Sequence, residues 1–180
     1  MSLYGKQLQL FQEAVPTLSR VAVLFDATTP EFAREPYETP ARTLGLQLQF
    51  VGANVREDLE PVFETATRER ADGLLVAGGP VATSNQPGIA ELALQSRLPS
   101  MWQQSEAVGR GGLMAYGPNR ADLYRRAAYF VDRILKGTRP ADLPIEEPMR
   151  FDFIINARTA EALGPTLPAH VLLQATEVIR

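Results

Sequence analysis

Four short apolar or alternating runs divide the first hundred residues at nearly even intervals: Arg20-Val21-Ala22-Val23-Leu24-Phe25, Leu46-Gln47-Leu48-Gln49-Phe50-Val51, Gly73-Leu74-Leu75-Val76-Ala77 and Leu98-Pro99-Ser100-Met101-Trp102. Their starts lie about 26 residues apart, the length of a strand, a helix and two connections. Between them the apolar positions switch to a helical period. Tyr4 to Val15 places Leu8, Phe11, Ala14 and Val15 on one face and stops at Pro16. Asp58 to Arg70 gathers Leu59, Val62, Phe63 and Ala66, tolerates Pro61 in its first turn and ends at Asp72-Gly73. Gln86 to Ser96 carries Ile89, Leu92 and Ala93 in the same way. Alternating strands and helices predict parallel strands with helical crossovers. The expected class is α/β, a doubly wound, mostly parallel sheet flanked by helices.

The strongest helical pattern is later, from Arg120 to Lys136. Asn119 can cap it, Asp122 sits in its first turn, Gly137 stops it, and Leu123, Ala127, Phe130, Val131, Ile134 and Leu135 form an apolar stripe. Thr138 to Pro144 reads as a connector, Phe151 to Asn156 as a late strand, Thr159 to Leu163 as a short helix, and His170 to Ile179 as a tail. Pro30 to Leu44 is helical in composition but holds Pro36 and Pro40, each of which removes an interior hydrogen bond. The expectation is a broken helix, with Thr39 capping a second piece that has Pro40 in its first position.

Composition narrows the function by exclusion. With 18 basic and 21 acidic side chains in 180 residues the formal charge is −3, so the chain lacks the clustered cationic surface of a nucleic-acid binder. There is no cysteine, hence no disulfide, thiolate metal site or thiol nucleophile. No apolar run approaches the roughly 20 residues that cross a bilayer, and no basic segment followed by an apolar stretch opens the chain. Phosphate cradles are missing too: Ala77-Gly78-Gly79-Pro80 follows a strand without continuing as Gly-x-Gly-x-x-Gly, and Gly109-Arg110-Gly111-Gly112 precedes a strand. His170 is the one histidine and stands far from any nucleophile motif. Glu57, Asp58, Glu60 and Glu64 read as a solvated helix start, not as metal ligands. The expected site uses no metal or cofactor and the chain is not expected to be an enzyme.

A doubly wound sheet binds ligands beside the loops that leave the carboxyl ends of its strands. Asp26-Ala27-Thr28-Thr29 follows the first strand, Gly78-Gly79-Pro80 the third, and Trp102-Gln103-Gln104-Ser105 the fourth. Hydroxyls, amides, free backbone N–H groups and an aromatic face suit a small polar or zwitterionic ligand. Each has a structural alternative: the threonines as caps, the glycines as a turn, the tryptophan as core.

From Gly5 to Arg180 the chain resembles bacterial ABC-transporter substrate-binding proteins of the type I periplasmic-binding-protein fold, a family that includes aromatic amino-acid binders. The resemblance rests on Gly111-Gly112-Leu113-Met114-Ala115-Tyr116-Gly117-Pro118-Asn119, on Ile134-Leu135-Lys136-Gly137 running to Pro140-Ala141-Asp142-Leu143-Pro144, and on Phe151 to Leu163. It implies two lobes with a ligand between them. Residues 4–115 then correspond to the second, carboxy-terminal lobe, 116–150 to a hinge crossing plus a helix of the first lobe, and 151–180 to the return strand, short helix and tail. The ligand would meet Asp26, Thr28, Thr29, Gly78, Gly79, Trp102, Gln103 and, at the hinge, Tyr116. Gly78-Gly79-Pro80 departs from the Asp-Pro type of sequence expected there, which leaves backbone donors in that loop. The implied partners are a small molecule, probed first as an amino acid, and an ABC permease in the membrane. The implied location is the periplasm, or the cell surface as a lipoprotein, in a full-length form whose signal peptide is absent from this chain. A homodimer or swapped oligomer through the helix 120–136 is expected if that apolar stripe is otherwise uncovered. The alternative in another class is the effector-sensing domain of a transcription regulator, which shares the fold.

Overall fold

A computed structural model of the protein describes residues 2–164 and 166–180. Its strands are β1 (Arg20–Asp26), β2 (Gln47–Ala53), β3 (Gly73–Val76), β4 (Ser100–Trp102), β5 (Met114–Pro118), β6 (Phe151–Asn156) and β7 (Glu177–Ile179). They form one sheet in the order β2-β1-β3-β4-β5-β6-β7. The first five run parallel; β6 enters antiparallel to β5, with Tyr116 opposite Phe153, and β7 lies parallel to β6. The doubly wound, mostly parallel sheet is thus present.

The helices are α1 (Leu3–Ala14), α2 (Glu35–Thr43), α3 (Leu59–Arg68), α4 (Pro80–Ser84), α5 (Gln86–Gln95), α6 (Arg120–Leu135), α7 (Ala157–Leu163) and α8 (Ala169–Gln174). Central strands read as unbroken apolar runs because both faces are covered. Successive side chains point to opposite faces, so Val21 and Val23 join Leu8, Phe11 and Tyr37 of α1 and α2, while Ala22 and Leu24 join Val62, Phe63 and Ile89 of α3 and α5. Each fully buried Leu or Phe in these layers contributes about 1.5–3 kcal/mol of transfer free energy.

Three local expectations change. Pro30 to Leu44 does break, but earlier: a 3-10 turn over Glu31–Arg34 passes into one continuous α2, with Pro36 in its first turn and Pro40 inside it. Buried Tyr37 and Ala41 anchor α2 to the sheet and hold it together across the missing hydrogen bond. The stop of α3 is Arg70, which takes the left-handed conformation at φ 61° and lets Ala71 N–H bond back to the Ala66 carbonyl. Asp72 has another role, its carboxylate accepting from the backbone N–H groups of Ser19 and Arg20 and pinning the start of β1. The tail, finally, is ordered as α8 followed by β7.

Residues between β5 and β6 form an excursion out of the sheet. Its base is closed by Asn119 N–H to the Arg150 carbonyl (2.9 Å) and by the Asn119 amide to the Asp152 carboxylate. Asn119 also caps α6 as expected, accepting from Asp122 N–H at 2.8 Å. No residue of α6 is buried.

Candidate functional site

Strand order dictates where the sheet opens. From β1 the chain crosses to β2 on one side, then returns past β1 to β3 on the other, so the switch point lies between β1 and β3. At such a point the two outgoing loops diverge to opposite faces and leave a crevice. The loops that border it are Asp26–Thr29 and Ala77–Gly79. They are joined directly: the Asp26 Oδ1 accepts from Val81 N–H at 3.1 Å, and the other carboxylate oxygen lies against Gly79. Gly79 has φ +106°, and a Cβ there would stand 2.1 Å from Asp26 Oδ2, so only glycine fits.

The loops after β4 and β5 continue the same edge. Gly117 packs so closely on the Gln103 carbonyl that a Cβ would stand 2.0 Å from its oxygen. Gln104 is held from the side by Gln86 and Thr83, and Arg110 donates to Gln86 Oε1 at 2.9 Å. This network fixes the Gln103–Ser105 segment and leaves the half-buried Gln103 amide without a hydrogen-bond partner among the described residues. Thr28 is exposed, and Thr29 N–H closes a turn onto the Asp26 carbonyl at 2.8 Å. Tyr116 stacks on Phe151, ring centroids 5.6 Å apart and planes 10° apart; burial raises the pKa of its hydroxyl, which stays protonated through the neutral range.

Seven of the eight expected residues therefore share one edge. Trp102 is the exception. Its ring is 1% exposed within the α3–α5 layer, and its indole N–H donates to the Ser100 hydroxyl at 2.9 Å. The aromatic face expected of it is not offered at the strand ends. In the sequence Trp102 was separable from a core residue only by position, and its rotamer points back toward Gly112.

Aromatic surface at that edge comes from elsewhere. Half-buried Tyr4, Phe25 and Phe50, joined through the buried Tyr37, form a contiguous row, with centroid distances of 4.2, 5.4 and 5.8 Å, along β1 and β2. The Arg34 guanidinium closes the row, 5.2 Å from the Phe50 ring centroid. Beside it Asp26, Thr29, Arg34 and Phe50 line a recess of about 30 Å³. Sequence reasoning passed over these groups because Phe25 and Phe50 read as strand interior and Arg34 as a helix residue among glutamates. Among the described residues no cluster of three or more His, Cys, Asp or Glu could hold a metal ion, and no helix is long and apolar enough to cross a membrane.

A family model described as ABC transporter substrate binding protein matches residues 1–179. The chain belongs to that family. Solved structures share its fold at low identity. A conserved domain protein from Vibrio cholerae O1 biovar El Tor superposes with a TM-score of 0.90 at 23% identity, over 99% of this chain and 60% of that one. An ABC domain in complex with L-Trp from Streptococcus pneumonia gives 0.87 at 22%, over 98% and 62%. A ligand-free, open substrate-binding protein with adhesive properties from Clostridium difficile gives 0.69 at 20%, over 97% and 59%. The chain thus spans about three-fifths of the length of each of these structures. No curated protein matches it by sequence.

Proposed function

We propose that this substrate-binding family member forms one wall of an interlobe cleft that captures a small polar or zwitterionic solute, an amino acid first among them, for an ABC importer. The observation that carries the reading is the convergence of the loops after β1, β3, β4 and β5 on one edge with unengaged polar groups, Thr28 and the Gln103 amide above all. Residues 4–115 are the second lobe on this reading. The excursion 116–150 supports a hinge, since it leaves and rejoins the sheet at neighbouring points and carries α6 with its apolar residues uncovered: Leu123, Val131 and Ile134 are 42%, 55% and 42% exposed. A first lobe would cover them, and 151–180 would be the return. Closure of two such lobes on a solute gives a membrane permease a distinct state to recognise. The corresponding location is the periplasm or the outer cell surface. The family match favours this over an effector-sensing domain of a transcription regulator.

The test is a titration of the chain with each of the common L-amino acids, followed by amide chemical shifts. One wall supplies about half of the contacts, so the expected affinity is millimolar, near 4 kcal/mol. Shifts should gather at 26–29, 78–79, 103–104 and 116. Saturation in the low-micromolar range by a monomer would overturn the half-cleft reading, and shifts confined to the amino ends of the strands would overturn the site.

A further inference from the structure

The recess at the ends of β1 and β2 has a chemistry that the rest of the edge lacks. Arg34 is half-buried, and among the described residues it donates no hydrogen bond; every other arginine in that condition is exposed. Among the described residues its one ion-pair partner is Glu31, at 3.9 Å, and the Glu31 side chain is 90% exposed. Such a pair is worth between nothing and about 1 kcal/mol and gives way readily to a better acceptor. The Phe50 ring meanwhile holds the guanidinium in place from one side, which lowers the cost of ordering it for a ligand. A permanently charged fork with five N–H donors and one weak, exposed partner thus lines a small recess.

The size of the cavity selects what can enter. A water needs about 10–15 Å³ of this kind of volume, so 30 Å³ holds two water-sized groups: a carboxylate fits and a side chain such as an indole does not. Thr29 adds a hydroxyl to the same recess, whose lining includes Asp26 with its carboxylate engaged by the Gly79–Val81 turn.

We infer that Arg34 is a ligand-binding residue and takes the α-carboxylate of a zwitterionic amino acid, with that carboxylate seated in this recess and the solute's α-ammonium and side chain outside it. This rests on the reading of the strand ends as the solute-binding edge. It adds a specificity rule, that the solute must carry a free carboxylate.

Two matched pairs of probes test it by the same shift titration: L-tryptophan against tryptamine, and L-leucine against 3-methylbutylamine. Each amine should bind the wild-type chain at least about tenfold more weakly than its amino acid, as expected for losing a charge-assisted bidentate contact. Arg34→Gln should weaken the amino acids by about tenfold to hundredfold and leave the amines unchanged; Arg34→Lys should fall between. The Arg34 Nε–H resonance should move with the amino acids and not with the amines. Wild type and Arg34→Gln binding the amino acids equally would overturn the role of Arg34 and leave the solute-binding edge standing. Equal losses for acids and amines would make Arg34 a structural support for Phe50, which also overturns the proposal. If neither pair binds at millimolar concentration, the amino-acid reading itself fails, and the carboxylate contact with it.

Discussion

Helices α3 and α6 have the same kind of sequence and opposite fates. In α3 the apolar stripe of Leu59, Val62, Phe63 and Ala66 is buried against the sheet beside α5. In α6 an even longer stripe buries nothing, and Leu135 is 82% exposed. What α6 has is polar: Asn119 at its start, the Arg126–Glu146 pair that ties it to the following segment, and the Arg126 guanidinium 4.1 Å from the Tyr129 ring centroid. Amphipathicity therefore reports that a helix expects a cover, not that this chain provides one. Between α6 and residues 146–149 runs a groove of about 650 Å³, lined by Leu123, Ala127, Phe130 and Met149, the surface a first lobe would fill on the proposed reading.

The sharpest way to break the comparison is truncation on both helices. Phe63→Ala should cost about 3–5 kcal/mol in chemical denaturation, since it opens a cavity in a closed layer, whereas Leu135→Ala should stay within about 0.5 kcal/mol. A large loss at Leu135 would show that α6 is covered in solution, by a second copy for instance, and sedimentation velocity would then find a dimer. A smaller effect is expected from Asn119→Ala, about 1 kcal/mol for the lost cap. Because α6 has no buried residue, that loss should appear as faster amide exchange within 120–135, while exchange in β1 and β3 stays unchanged. Equal acceleration in the core strands would mean that α6 unfolds only with the whole. The weakest effect is acid sensitivity of the segment beside α6. The hydrogen bond from Arg126, and then its charge, lower the Glu146 pKa from 4.5. A depressed folded pKa means that the contact contributes above the unfolded value and is lost as pH falls through the folded one. Residues 144–149 should therefore loosen only as pH falls below the ordinary carboxylate range, with the sheet intact, which amide shifts at 146 and 126 would follow, and Glu146→Gln should abolish the transition.

The two regions also differ in how far they could be read in advance. Strand periodicity over Arg20–Phe25 and Gly73–Ala77 is enforced by the core on both faces, so the pattern and the fold agree there. Asn119 was legible as a cap because the hydrogen bond it makes is local, three residues long. The candidate edge was legible as loops, because position after a parallel strand is a topological property. Individual roles at that edge were not. Whether Trp102 faces the crevice or the α5 layer depends on a rotamer and on the space that Gly112 leaves. Whether Arg34 is a plain surface charge or a guanidinium held over an aromatic ring depends on Phe50, which stands beyond an entire helix in the chain and meets it only when α2 folds back over β2.

By itself, then, the sequence determined the alternation of elements, the parallel sheet, the loops that had to lie at its carboxyl edge, and the absence of thiol chemistry in a chain without cysteine. Those are properties of period and of which residue types exist at all. Only the tertiary structure decided that Asp26 bridges to the Gly79–Val81 turn, that Trp102 belongs to the core, that Arg34 stands at a recess of carboxylate size, and that α6 lies bare. Each of these depends on contacts between segments distant in the chain, where the energy resides in packing geometry that no local pattern encodes.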